Sequence, residues 1–330
     1  MELSNLLGVS GDLRLAEESF EDLRWIPRTL ERMQHIRDAV KIYSEEKELL
    51  GILLHENQHW LLLTDIFAEE FPRRQFEMLA AKQAKPAKQA KQAKQAKQVG
   101  QAKPAKQARQ ARHEEGKAEA ELTVDREKFV EGIIEYFSLG LVEGFLCECS
   151  FKERAFYSAE RVSALKGVLS DFLRSEGISE RSKTVEICCG DGAATIALHE
   201  LGIFPLVADI NKCEICRGLR EGVLSPKRSV VLNCAYLSAF FPKAFDCIFG
   251  FMLGKITPFN LFEWKPVLLD IPKALNPAES GCIFLTFSSE WEAKTAKDTL
   301  QDFHCEIMKN EHSDGYFDHW ILIGRLKKEK

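Results

Sequence analysis

One stretch constrains this 330-residue chain more than any other: Val185-Glu186-Ile187-Cys188-Cys189-Gly190-Asp191-Gly192-Ala193-Ala194-Thr195-Ile196-Ala197-Leu198. It reads as an apolar strand, a glycine turn and the first turns of a helix, in immediate succession. Such a turn aims backbone N–H groups and a helix N-terminus at whatever sits above the strand end. A pyrophosphate there would be repelled by a nearby acid. This strand carries Glu186, four residues before Gly190 and without a basic neighbour. A carboxylate at that point suits a cationic ligand.

The residues downstream repeat the alternation of strand and helix. A helix over 193–201 ends near Gly202, and 204–210 reads as a second strand closing on Asp209, an acid able to accept both hydroxyls of a ribose. Further strands are expected at 229–234, 244–252 and 281–287, with helices over 264–275 and 291–303, then a final pair of strands at 305–309 and 319–325. The acid-x-Cys-x-Gly-x-Gly turn followed by these strands resembles motif I and the sheet of class I S-adenosylmethionine (SAM)-dependent methyltransferases. The resemblance covers roughly residues 180–330. It implies an α/β fold, a seven-stranded Rossmann-like sheet ending in an antiparallel pair, and SAM as cofactor, whose ammonium and sulfonium fit the charge of Glu186.

Residue by residue, the resemblance implies a cofactor site of Glu186, Cys188, Gly190, Gly192, Asp209, Asn233, Cys234 and Phe251. Cys188 stands where the family has its first glycine, so the turn is expected to avoid a positive φ at that residue. Cys234, beside Asn233, stands where many members have an adenine-binding aspartate. No Asp/Asn-Pro-Pro-Tyr follows the fourth strand, which argues against methylation of planar amino nitrogens. The acceptor belongs over the C-terminal ends of the strands. His312 is the first choice for a base there, with Asp314 and Tyr316 as alternates.

The remainder of the chain reads differently. Apolar residues at Leu30, Met33, Ile36, Val40 and Tyr43 recur at helical spacing after Pro27, and a second helix is expected over 44–70. Residues 1–80 are therefore expected to form an all-helical domain. Within it, His55-Glu56-Asn57-Gln58-His59 matches HExxH, which on a helix places both histidines on one face. No third ligand follows downstream, and a metal there, with His35 as a further ligand, is the minor alternative. Residues 81–121 form a linker of Ala-Lys-Gln repeats with ten basic residues and no acidic one from Lys82 to Arg112, so the rest of the chain sums to −15. Such a segment buries no core. It has no aromatic residue to stack on bases, so nucleic acid is not the favoured partner. The methyltransferase domain is expected over 122–330, with a helical lead-in over 122–180 and the core sheet over 181–330.

No run approaches the roughly 18 apolar residues of a membrane span, and the N-terminus lacks a signal peptide, so a cytoplasmic protein is expected. Ten cysteines lie between Cys147 and Cys305. Those in strands, Cys247 and Cys282, are expected as reduced core residues, and no second CxxC joins Cys213-Glu214-Ile215-Cys216 to make a zinc site, so no metal is expected. The reading is a methyltransferase acting on a protein side chain or small molecule. The alternatives are a catalytically inactive SAM-binding scaffold, and a His55/His59 metal-binding helical domain fused to the fold.

Overall fold

The computed structural model describes residues 2–34, 39–56, 58–66, 70–83, 121–149, 157–279, 281–313 and 317–327. They divide into two compact units.

One unit, Glu2–Glu18 with Asp22–Val130, is organised on a five-stranded mixed sheet rather than on helices. It contains α1 (Glu2–Leu6), β1 (Asp12–Leu15), α2 (Pro27–Met33), β2 (Val40–Ser44), β3 (Leu49–Glu56), β4 (His59–Leu63), α3 (Glu70–Gln83) and β5 (Glu121–Val124), with strand order β1-β4-β3-β2-β5. The all-helical expectation for 1–80 is thereby corrected. Helix α2 starts at Pro27 as expected but ends at Met33, and Val40 onward is extended. The helix expected over 44–70 is instead a hairpin, in which Ile52 pairs with Leu63 and Glu56 with His59.

The cause lies in the run 49–54. Leu50, Ile52, Leu53 and Leu54 are all buried, so the strand is covered on both faces. A doubly covered strand has no alternation, and periodicity cannot tell it from a buried helix. Gly51 supports the strand: a Cβ there would lie 2.7 Å from the Leu63 carbonyl oxygen on β4.

The hairpin also separates the two histidines of the minor metal alternative. His55 pairs with Trp60 and Glu56 with His59, so His55 and His59 point to opposite faces of the ribbon. The His55 ring packs on Trp60 at 4.6 Å between centroids, and His59 lies 3.8 Å from Glu56. Neither histidine belongs to a metal-competent cluster among the described residues. His35 and the linker residues 84–120 lie outside the described residues.

The other unit comprises Ser19–Glu21 and Glu131–Lys330. It holds most of α4 (Arg126–Val142), then α5 (Ala159–Glu176), β6 (Thr184–Ile187), α6 (Thr195–Glu200), β7 (Leu206–Asp209), α7 (Lys212–Arg220), β8 (Ser229–Val231), β9 (Cys247–Gly250), α8 (Leu261–Ala274), β10 (Cys282–Phe287), α9 (Glu290–Thr299), β11 (Phe303–Lys309) and β12 (Trp320–Leu326). The seven-stranded sheet has the order β11-β12-β10-β9-β6-β7-β8, with β12 antiparallel to both its neighbours. The α/β sheet and its antiparallel ending agree with expectation. Helix α5 begins as its sequence predicts, with the Ser158 hydroxyl accepting from the Arg161 N–H at 3.2 Å, and ends at Gly177 with φ 68°. Every residue of β6, β9 and β10 is buried, as parallel strands covered on both faces require. Phe172, Phe249, Phe251 and Phe284 pack together on one face of this sheet. Among the described residues no helix is long and apolar enough to cross a membrane.

Candidate functional site

The chain runs β6, β7, β8 outward in one direction, then returns to place β9 on the other side of β6. Between β6 and β9 the strand order reverses. The crevice outside the carboxyl ends of the strands at such a switch point is where open α/β sheets bind ligands. The turn Cys188–Gly192 emerges there.

Its geometry is set by hydrogen bonds from below and beside. Asp209, the last residue of β7, accepts the Gly190 N–H on one oxygen at 2.9 Å and the Asn211 N–H on the other at 2.7 Å. Asn211 in turn caps α7, its side chain accepting from the Cys213 N–H at 3.1 Å. Gly190 and Gly192 have φ of 57° and 91°. A Cβ on Gly192 would lie 2.5 Å from Leu224, whereas one on Gly190 would meet nothing within 4 Å. The inner glycine lets the turn pack, and the outer one faces open space.

Cys188 corrects one expectation. It takes a positive φ of 54°, the conformation its side chain was expected to prevent. The neighbouring Cys234 thiol, together with burial, pushes the Cys188 thiol well up. The two cysteines that depart from the family pattern therefore meet each other. Cys234 is buried, and the Asn233 side chain caps the short turn after β8 by accepting from the Ala235 N–H at 3.0 Å.

Glu186 lies beneath the turn, 1% exposed, and accepts the Thr195 hydroxyl at 2.7 Å. Burial raises its pKa to about 8, partly opposed by the Thr195 hydrogen bond and the charge of Arg161. Phe251 is buried just past β9.

A polar network that sequence reasoning missed holds the neighbouring edge. Arg161 grips Asp318 with two hydrogen bonds, at 2.7 and 3.3 Å. Asp318 also accepts the Thr286 hydroxyl at 2.6 Å, and Thr286 accepts the Met252 N–H at 2.9 Å. Four segments far apart in sequence thus share one buried chain of bonds. Met252 and Asp318 both have φ 53°, so with Cys188 three non-glycine left-handed residues gather at this edge. The sole sequence signal was the position of Arg161 in the first turn after a Ser158 cap. Next to it, buried Glu292 accepts from the Ile256 N–H at 3.0 Å and the Ser288 hydroxyl at 2.6 Å, bracing the segment after β9 against the start of α9.

Phe287, Trp320 and Lys309 lie side by side across β10, β12 and β11, so the β11–β12 loop opens at the same edge. His312 is exposed on it, and Asp314 and Tyr316 lie outside the described residues. The loop closes at its base, where the Asn310 N–H donates to the His319 carbonyl at 2.8 Å and the Asn310 side chain to the Asp318 carbonyl at 3.0 Å. A cleft of about 390 Å³, lined by His199, Phe204 and Arg228 among others, lies where β7 and β8 begin.

No family model matches the chain, and no curated protein matches it. Solved structures do resemble it. A protein of Pyrococcus horikoshii is 18% identical, with 51% of this chain and 90% of that one covered at a TM-score of 0.40. A SAM-dependent methyltransferase of Archaeoglobus fulgidus is 17% identical, covering 50% and 94% at 0.35. Another, from Clostridium acetobutylicum, is 9% identical, covering 50% and 92% at 0.41.

Proposed function

We propose that the chain is a SAM-dependent methyltransferase, moving a methyl group to a protein side chain or a small molecule. One observation carries this reading. The glycine turn at the point of strand reversal is tied through the Gly190 N–H to Asp209, the acid closing the next strand.

The residues fit the cofactor. Each oxygen of Asp209 makes one hydrogen bond in the structure and retains a lone pair for a ribose hydroxyl. The outer face of Gly190 is open. Glu186 supplies negative charge beneath the turn for the amino-acid end of the ligand. Cys188, Gly192, Asn233, Cys234 and Phe251 complete the cradle. When bound, the cofactor supplies an electrophilic methyl group, and the chain's own residues orient the acceptor for in-line attack. The acceptor sits over the ends of β9 and β10, and His312 takes the proton of a protonated nucleophile, with Asp314 and Tyr316 as alternates.

Calorimetric titration with SAM and S-adenosylhomocysteine tests the site. Binding that Asp209→Ala loses is the expected result, and no binding by the intact chain would sink the reading. Transfer of isotope from methyl-labelled SAM into protein or small-molecule fractions then separates an enzyme from a scaffold that only binds.

A further inference from the structure

Away from the glycine turn, the segment after α4 meets the start of α7. Cys147 and Cys149 are bridged there by a disulfide, where the sequence reading had none. The Cys213 sulfur lies 3.9 Å from that of Cys147, and all three sulfurs fall within 4.8 Å of one another. We propose that Cys147, Cys149 and Cys213, once reduced, form a three-thiolate site for a thiophilic cation such as Zn²⁺.

The geometry supports it. A tetrahedral zinc with bonds of about 2.3 Å sets its sulfurs about 3.8 Å apart. The Cys147–Cys213 separation already matches that edge. Cys147 and Cys149 have Cα atoms 5.5 Å apart, so their sulfurs reach the same spacing by side-chain rotation once the bridge is open. Cys147 is buried and the other two are half-buried. That leaves one side open for a fourth ligand, and among the described residues no other Cys, His, Asp or Glu joins the cluster.

Side chains of α7 hold the two segments together independently of the sulfurs. Lys212 donates to the Leu146 carbonyl at 3.4 Å, and Arg220 to the carbonyls of Cys149 and Val142 at 3.0 and 3.5 Å. These two cations on α7 also offset the negative charge that three thiolates leave around a divalent ion. The chemistry balances: a phosphine or dithiol opens the bridge with two electrons and two protons, and the ion then displaces three thiol protons as its bonds to sulfur form. The disulfide is thus the oxidised, ion-free state of the same site.

The test uses the full chain, reduced anaerobically with a phosphine that is then removed, and titrated with Co²⁺ and Zn²⁺. One ion per chain is expected, with a thiolate-to-cobalt charge-transfer band that Zn²⁺ abolishes. Cys147→Ser, Cys149→Ser and Cys213→Ser should each weaken binding 100-fold or more, and the unreduced chain should bind none. Cys216→Ser, which removes a nearby thiol bonded to the Leu141 carbonyl, should bind as the parent does. Circular dichroism of each variant shows whether it is folded. Should a variant not fold, the parent decides, because X-ray absorption of its zinc complex counts the sulfurs directly. Absence of binding by the reduced parent, unaltered binding by folded Cys213→Ser, or fewer than three sulfurs around the ion would each overturn the proposal.

Discussion

Asp209 takes the Gly190 N–H on one carboxylate oxygen and the Asn211 N–H on the other, at 2.9 and 2.7 Å. A single side chain therefore fixes both the turn after β6 and the entry to α7. Asp209→Ala frees two backbone donors at once, and charge-assisted bonds of this kind contribute about 1.5–3 kcal/mol each. The variant should unfold at lower temperature in calorimetry and bind SAM at least tenfold more weakly. Asp209→Asn, which keeps one acceptor, should fall between.

Glu186 provides a pH signature. Its pKa stands raised to about 8, chiefly by burial. A cationic ligand favours the ionised carboxylate, so binding draws off the proton, and affinity should rise as pH rises toward about 8. Titrations from pH 6 to 9 on the parent and Glu186→Gln compare like with like, since the ligand's own amino group titrates in both. The parent should gain affinity relative to the variant across this range. Parallel curves would show that Glu186 does not sense the ligand's charge.

At Cys188 the left-handed backbone costs about 1–2 kcal/mol for a residue with a side chain. Cys188→Gly removes that strain but restores freedom to the unfolded chain, which offsets about 0.5–1 kcal/mol. A net gain of about 0.5–1 kcal/mol is expected, read as a rise in Tm of a few degrees. A fall in Tm would mean that the contact with Cys234 outweighs the strain.

Arg161 and Asp318 form a buried pair, so removing one partner strands the other. Arg161→Met should destabilise the C-terminal unit by about 3–5 kcal/mol. Adding Asp318→Asn to Arg161→Met should recover much of that loss, as a double-mutant cycle in urea would show.

In the N-terminal unit, Asp65 is buried with neither carboxylate oxygen hydrogen-bonded to another of the described residues, and burial lifts its pKa from 3.8 to about 8. The folded state holds this proton where the unfolded chain releases it. Its contribution to stability is whole below about pH 4 and declines as pH rises through 8. Asp65→Asn cannot ionise. Its Tm relative to the parent should climb between pH 4 and 8, and a constant difference would refute the assignment.

The C-terminal sheet was legible because its signals are local: glycine turns, an acid closing the second strand, and apolar runs separated by helices. The N-terminal sheet was not. Its central strand, Leu49–Glu56, is apolar on both faces, and the residues of its turn imitate a metal-binding helix. Long-range partners were equally hidden. Arg161 and Asp318 are separated by 157 positions, and Cys147 and Cys213 by 66. No spacing rule spans such distances, since only the fold brings those side chains together.

The neck of the β11–β12 loop has a consequence for how this protein can diversify. Asn310 and His319 fasten the loop at its base, and strand pairing from Lys309–Trp320 to Phe303–Leu326 continues below it. Changes in this loop that keep Asp318 and its bonds to Arg161 and Thr286 leave the register of the strands below intact. The turn tied to Asp209 follows β6, which β9 and β10 separate from β12 in the sheet. On the proposed function, this rim can change its acceptor preference while the turn opposite keeps its hydrogen bond to Asp209.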